Sequence, residues 1–155
     1  MFTNRFLIIV GLISLLLTGC GNETGKQSGT KNSVNITNIS NQNVYDQEPS
    51  NKAKKLLAAK KNVTAIDAVN TDKKMIIAIE VPHHERFQLK DIRDKLTKEL
   101  KKQFKQEEIT VELSTDQKII WELEKLEEKL QKNNISNKEL KKEIKRISKL
   151  MKEQT

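Results

Sequence analysis

The chain has 155 residues and a net charge of +8, with charged residues at 32% and aromatic residues at only 4%. That length holds one small domain with flanking segments. The scarcity of aromatics leaves little for base stacking, so nucleic acid is not the expected partner. Lys and Glu are interleaved rather than blocked, as on solvated helix faces, and an anionic membrane or wall polymer is the more natural electrostatic partner.

In chain order the first element is a secretory-type signal. Arg5 precedes the apolar run Phe6 to Leu17, an arrangement of charge and apolar core typical of such signals. The run falls short of the roughly 20 apolar residues that span a bilayer. Leu17-Thr18-Gly19-Cys20 follows directly, and Cys20 is the single cysteine of the chain. A small pair ahead of a cysteine, right after an apolar run, reads as a bacterial lipobox. Cleavage then falls between Gly19 and Cys20, and the thiol carries a diacylglyceryl group with palmitate-type chains. The alternative is an uncleaved signal anchor with an incidental cysteine. One acyl chain binds a membrane only marginally, whereas two hold, so the expected place is the extracytoplasmic face of the cell membrane. With Cys20 lipidated no thiol is left for an intramolecular disulfide.

Residues 20–49 are expected to form a disordered polar linker. Gly, Asn, Ser, Thr and Gln dominate, with isolated Val34, Ile36, Ile39, Val44 and Tyr45, too little apolar surface to offset ordering entropy. The alternation of Val34 and Ile36 allows a stray edge strand. Pro49-Ser50 then opens a helix to about Lys61, with Ser50 or Asn51 as N-cap. Two strands follow, Val63 to Val69 and Met75 to Val81, joined by the turn Asn70-Thr71-Asp72-Lys73. The second is the most apolar stretch beyond the signal and is placed at the centre of the sheet. Leu89, Ile92, Leu96, Leu100 and Phe104 step by three and four, which predicts an amphipathic helix over about 88–105. Ile109, Val111 and Leu113 alternate with polar residues as a third strand. The expected class is α+β, an αββαβ core with a three-stranded sheet over residues 50–115.

Residues 116–155 read as two C-terminal helices. Ser114-Thr115-Asp116-Gln117 and Ser136-Asn137-Lys138-Glu139 both have the form of capping boxes. Asn133-Asn134 breaks the periodicity between them. The apolar positions are Ile119, Ile120, Leu123, Leu126 and Leu130 in one helix, then Leu140, Ile144 and Ile147 in the other. Packing on the same domain is the plainer expectation, and docking a partner helix the other.

No residue set points to catalysis or to a cofactor. His83 and His84 are the only histidines; a metal site needs three or four converging ligands, so a solvated loop is expected and no metal. Asp91 with Asp94, or Glu107 with Glu108, fit ion pairing on Lys-rich helices better than a carboxylate dyad. Trp121 is expected to be a packing residue or an interface anchor. Lys52, Lys54, Lys55, Lys60 and Lys61 form a local basic cluster on the first helix. A solvated face is the default there, and contact with lipid headgroups or wall polymer is the functional alternative.

The lipobox, Ala53-Lys54-Lys55-Leu56, Val63 to Val69, Met75 to Val81 and the helix Leu89 to Leu100 together resemble the YhcN/YlaJ-type sporulation lipoproteins of endospore-forming bacteria. The resemblance covers roughly residues 50–125 and the signal. It implies a spore-membrane lipoprotein acting in germination or outgrowth, with a BON-like core of a type associated with envelope surfaces, and no catalytic residues. Asn62-Val63 stands where relatives have a Gly-Val pair, and the helical tail after about Leu130 is not expected from the family. The competing function is a general cell-envelope lipoprotein whose C-terminal helices dock a partner protein.

Overall fold

A computed structural model describes residues 34–40 and 44–153. The signal, Gly19, Cys20 and the first part of the expected linker lie outside the described residues. The elements are α1 (Glu48–Ala58), β1 (Ala65–Asn70), β2 (Lys74–Glu80), a 3-10 helix (His83–Gln88), α2 (Leu89–Gln103), β3 (Thr110–Ser114), α3 (Gln117–Gln131) and α4 (Asn137–Glu153). The fold is thus the expected α+β arrangement, with helix, hairpin, helix and strand followed by two helices. β2 lies between an antiparallel β1 and a parallel β3.

Strand alternation sends apolar side chains to both faces of the sheet. Ile66, Ala68, Met75, Ile77, Ile79, Val111 and Leu113 face a first core with Ala53 and Leu57 of α1 and Ile92, Leu96 and Leu100 of α2. Val69, Ile76 and Ala78 face a second core with Ile119, Leu123, Leu126 and Leu130 of α3 and Leu140, Ile144 and Ile147 of α4. β2 is apolar on both faces because both are covered, as its continuous apolar composition requires. The two C-terminal helices close the second face, and their apolar stripes are spent there.

Their termini follow local chemistry. Ser136 and Glu139 form the reciprocal capping box: each backbone N–H donates to the other's side chain, at 2.9 and 3.3 Å. At α3 the cap differs from the expected box. Asp116 is the N-cap and accepts from the N–H groups of Lys118 and Ile119, while Ser114 Oγ accepts from Asp116 N–H. A carboxylate two residues further on satisfies the same orphan donors. Asn133, between α3 and α4, has φ 53°, a conformation that Asn tolerates better than most residues.

The chain ahead of α1 differs from the linker expected through residue 49. Ile39 and Val44 are buried in the second core, and Val34 and Ile36 pack against the first. Asn51 Oδ1 accepts from Ile39 N–H at 2.9 Å, and Asn51 Nδ2 donates to Ile39 O at 2.8 Å. Helix α1 starts at Glu48, ahead of the expected Pro49-Ser50, and neither Ser50 nor Asn51 is its cap. Ser50 instead donates from both N–H and Oγ to Asn70 Oδ1, at 3.1 and 2.6 Å. Isolated apolar residues every few positions cannot make a core alone, but they suffice to hold a segment on one that already exists.

Candidate functional site

Helix α1 ends at Ala58, short of the expected Lys61, so Lys60 and Lys61 of the basic cluster follow it, and the cluster resolves into three environments. Lys55 and Lys61 are exposed. Lys52 pairs with Glu107 at 2.8 Å and sits 5.3 Å from the centre of the Phe104 ring, and Lys60 pairs with Glu99. These two pairs tie α1 to α2 and the chain that follows it. Lys60 and Glu99 also line a groove of about 360 Å³ with Leu56, Leu57, Leu96 and Leu100.

Lys54 departs from the surface expectation altogether. Its side chain is 0% exposed, and its Nζ lies 2.6 Å from Glu127 Oε1, whose side chain is 6% exposed. The reason is helical phase. Ser50, Asn51, Ala53, Lys54 and Leu57 form the buried stripe of α1, and position 54 falls one turn after position 50. A spacing of three and four was readable in these residues, but two polar side chains and a lysine hid it.

The site that Lys54 enters was not read from the sequence. Lys54 Nζ also donates to Thr37 O at 2.7 Å. Glu127 Oε1 accepts from Ala68 N–H at 2.7 Å. Ala68 lies on β1, an edge strand, so this amide has no strand partner on that side. Asn70, next along the same edge, donates its N–H to Gln47 Oε1 at 3.1 Å and accepts from Gln47 Nε2 at 2.8 Å. Side chains thus take the place of a neighbouring strand and close an edge that would otherwise invite pairing with another chain. Val34 and Ile36 join one core and Ile39 and Val44 the other, so the N-terminal segment passes around this edge. Thr37, at the crossing, is the residue that Lys54 holds.

Asp67 neighbours the pair. Burial pushes its carboxyl up to about 6; Lys54 works against that rise, and Glu124 and Glu80 add to it. Burial also drives Glu127 up to about 7, with Lys54 and the Ala68 amide opposing and Asp67 assisting. Asp67, Glu80, Glu124 and Trp121 border a cavity of about 220 Å³. The buried pair, with Thr37 O on the lysine and Ala68 N–H on the carboxylate, ties α1, α3, β1 and the N-terminal segment together.

The other candidate residues scatter. His83 and His84 are exposed on the 3-10 helix, with His84 Nε2 3.7 Å from Glu85. Among the described residues no three His, Cys, Asp or Glu side chains are placed to hold a metal ion. Asp94 pairs with Arg93 at 3.5 Å, Glu107 with Lys52 at 2.8 Å, and Glu108 with Lys73 at 3.7 Å, the ion-pair role expected for three of the four carboxylates, while Asp91 is exposed. Trp121 is 56% exposed. No described helix is long and apolar enough to cross a membrane.

Neither the curated proteins nor the solved structures include a significant match to this chain. The family model for sporulation lipoprotein YhcN/YlaJ does match, over residues 18–152. The matched stretch takes in the helical tail, which corrects the expectation that the tail after Leu130 lies outside the family pattern. With most of its length matched, from the residues just before Cys20 to the last turn of α4, the chain belongs to the YhcN/YlaJ family of sporulation lipoproteins.

Proposed function

We propose that this lipoprotein is non-catalytic, is anchored through a diacylglyceryl group on Cys20 at the extracytoplasmic face of a spore membrane, and supports germination or outgrowth through protein or envelope-surface contacts. The observation that carries the reading is the family match, which begins at residue 18 and so includes Thr18-Gly19-Cys20 together with the whole domain. Two lipid chains give lasting attachment where one does not. The interior supports a structural rather than a chemical use of its charges, since Lys54 and Glu127 hold each other, Thr37 and Ala68. The αββαβ order of the core supports the BON-like reading that the resemblance implies, and with it surface contact as the mode of action. Lys55 on α1 and Lys61 just after it are exposed cations open to an anionic polymer or headgroup.

The test is an immunoblot of membrane fractions from growing cells, sporulating cells and purified spores, for the native chain and for Cys20→Ala. The native chain is expected in sporulating cells and spores, labelled by radioactive palmitate, and the variant unlabelled and in the soluble fraction. Equal abundance in growing cells would overturn the sporulation role, and label retained by Cys20→Ala would overturn the anchor.

A further inference from the structure

Strand register defines two ends of the sheet. Ala65 pairs with Glu80 in the antiparallel hairpin, and Ala78 with Ser114 in the parallel pair. The start of β1 and the ends of β2 and β3 therefore share one end, and the turn at Thr71 to Lys73 lies at the other. The 3-10 helix His83–Gln88 follows β2 by two residues and so sits at the first end.

Phe87 on that helix is 98% exposed, against 39% and 56% for Leu56 and Trp121, the other large apolar side chains left in solvent among the described residues. None of the residues of the 3-10 helix is buried. His83, His84, Arg86, Gln88, Lys90 and Asp91 around it are exposed too, and Glu85 is half-buried. An aromatic ring offered bare on a projecting turn, with the long basic side chains of Arg86 and Lys90 within reach, is the pattern of a side chain seated at a membrane interface. Packing inside the domain gives no reason for it.

The path of the chain names the occupant. Asn35 lines a cavity with Ala65, Ile66, Glu80 and Gln117, so the N-terminal segment meets the domain at the same end as Phe87. Between Cys20 and Val34 the covalent chain reaches at most about 50 Å, at roughly 3.5 Å per residue. The point where the chain enters the domain is thus held within about 50 Å of the anchor, and Phe87 lies at that same end of the sheet.

We infer that the turn His83–Gln88 is a second membrane contact, with Phe87 inserted among the acyl chains just below the headgroups and Arg86 and Lys90 on anionic lipid phosphates. This rests on the Cys20 anchor proposed above. The contact sets the pose of the domain, sheet axis toward the membrane, with the turn at Thr71 to Lys73 and the chain after α2 pointing away.

The experiment uses the full lipidated chain in phosphatidylglycerol-containing vesicles with brominated acyl chains. Phe87→Trp in a Trp121→Phe background is compared with Lys105→Trp in the same background; Lys105 is exposed beyond the far end of α2. The indole at 87 is expected to shift its emission to the blue and lose most of its intensity, and the indole at 105 to keep both. Floating chains whose indole at 87 is no more quenched than that at 105 would overturn this inference and leave the anchor standing. Chains that do not float with the vesicles would overturn the anchor, and this inference with it.

Discussion

The Nζ of Lys54 on α1 lies 2.6 Å from Oε1 of Glu127 on α3, with neither side chain open to solvent. The two helices cover opposite faces of the sheet, so the pair spans the outer edge of β1 and joins the two cores. Removing one partner of a buried pair strands the other, at a typical cost of about 3–5 kcal/mol. Lys54→Met is therefore expected to lower unfolding free energy by about that much at pH 8. Lys54→Met with Glu127→Gln should recover most of the loss, because the carboxamide oxygen still accepts from Ala68 N–H. Urea denaturation of the single and double variants measures both. A double variant no more stable than the single would show that the pair's charge is not what matters.

Stability should fall from pH 5 to pH 8. Asp67 is raised from 3.8 to about 6 and Glu127 from 4.5 to about 7, chiefly by burial. The folded chain then binds more protons than the unfolded chain between those values, so the contribution is complete below about 4 and is lost by about 7. Glu99, Glu122, Glu128 and Glu139 are held low first by side-chain hydrogen bonds from Lys60, Arg146, Lys132 and Ser136. Their contributions vanish only as pH falls through those lowered values. The melting temperature is thus expected to peak in mild acid, and Asp67→Asn to flatten its decline. A rise in melting temperature between pH 5 and pH 8 would contradict the assignment.

Asn51→Ala should release the N-terminal segment without unfolding the sheet. It removes both hydrogen bonds to Ile39, and an orphaned buried backbone group costs about 1–3 kcal/mol. Hydrogen exchange is expected to accelerate at the Ile39 amide and to stay slow at Ile77 in β2. Equal acceleration at both would mean that the segment and the sheet open as one unit.

Ile147→Ala tests whether α4 belongs to the domain. Ile147 is 0% exposed and lies in the second core, where an isoleucine truncated to alanine loses about 2–5 kcal/mol. Ser136→Ala, which removes the cap on the same helix, should cost about 1 kcal/mol. Both are read from thermal or urea unfolding. No loss from Ile147→Ala would be the behaviour of a free arm.

The sequence by itself determined the order of the elements, the central place of β2 and the family. Strand alternation, three-and-four spacing and the box Ser136 to Glu139 are local signals, and each depends only on neighbours along the chain. The proposed lipobox Leu17-Thr18-Gly19-Cys20 is legible there too, because a peptidase and a lipid transferase would read a short stretch without needing a fold. The places of Lys54, of Glu127 and of residues 34–40 and 44–47 were settled by long-range packing alone. A lysine can enter a core only if a distant carboxylate and carbonyl meet it there, and composition around position 54 carries no trace of Glu127 or Thr37. A polar segment with scattered Ile and Val is free or docked according to whether an edge strand needs covering. That need arises only once the sheet has formed with β1 at its rim.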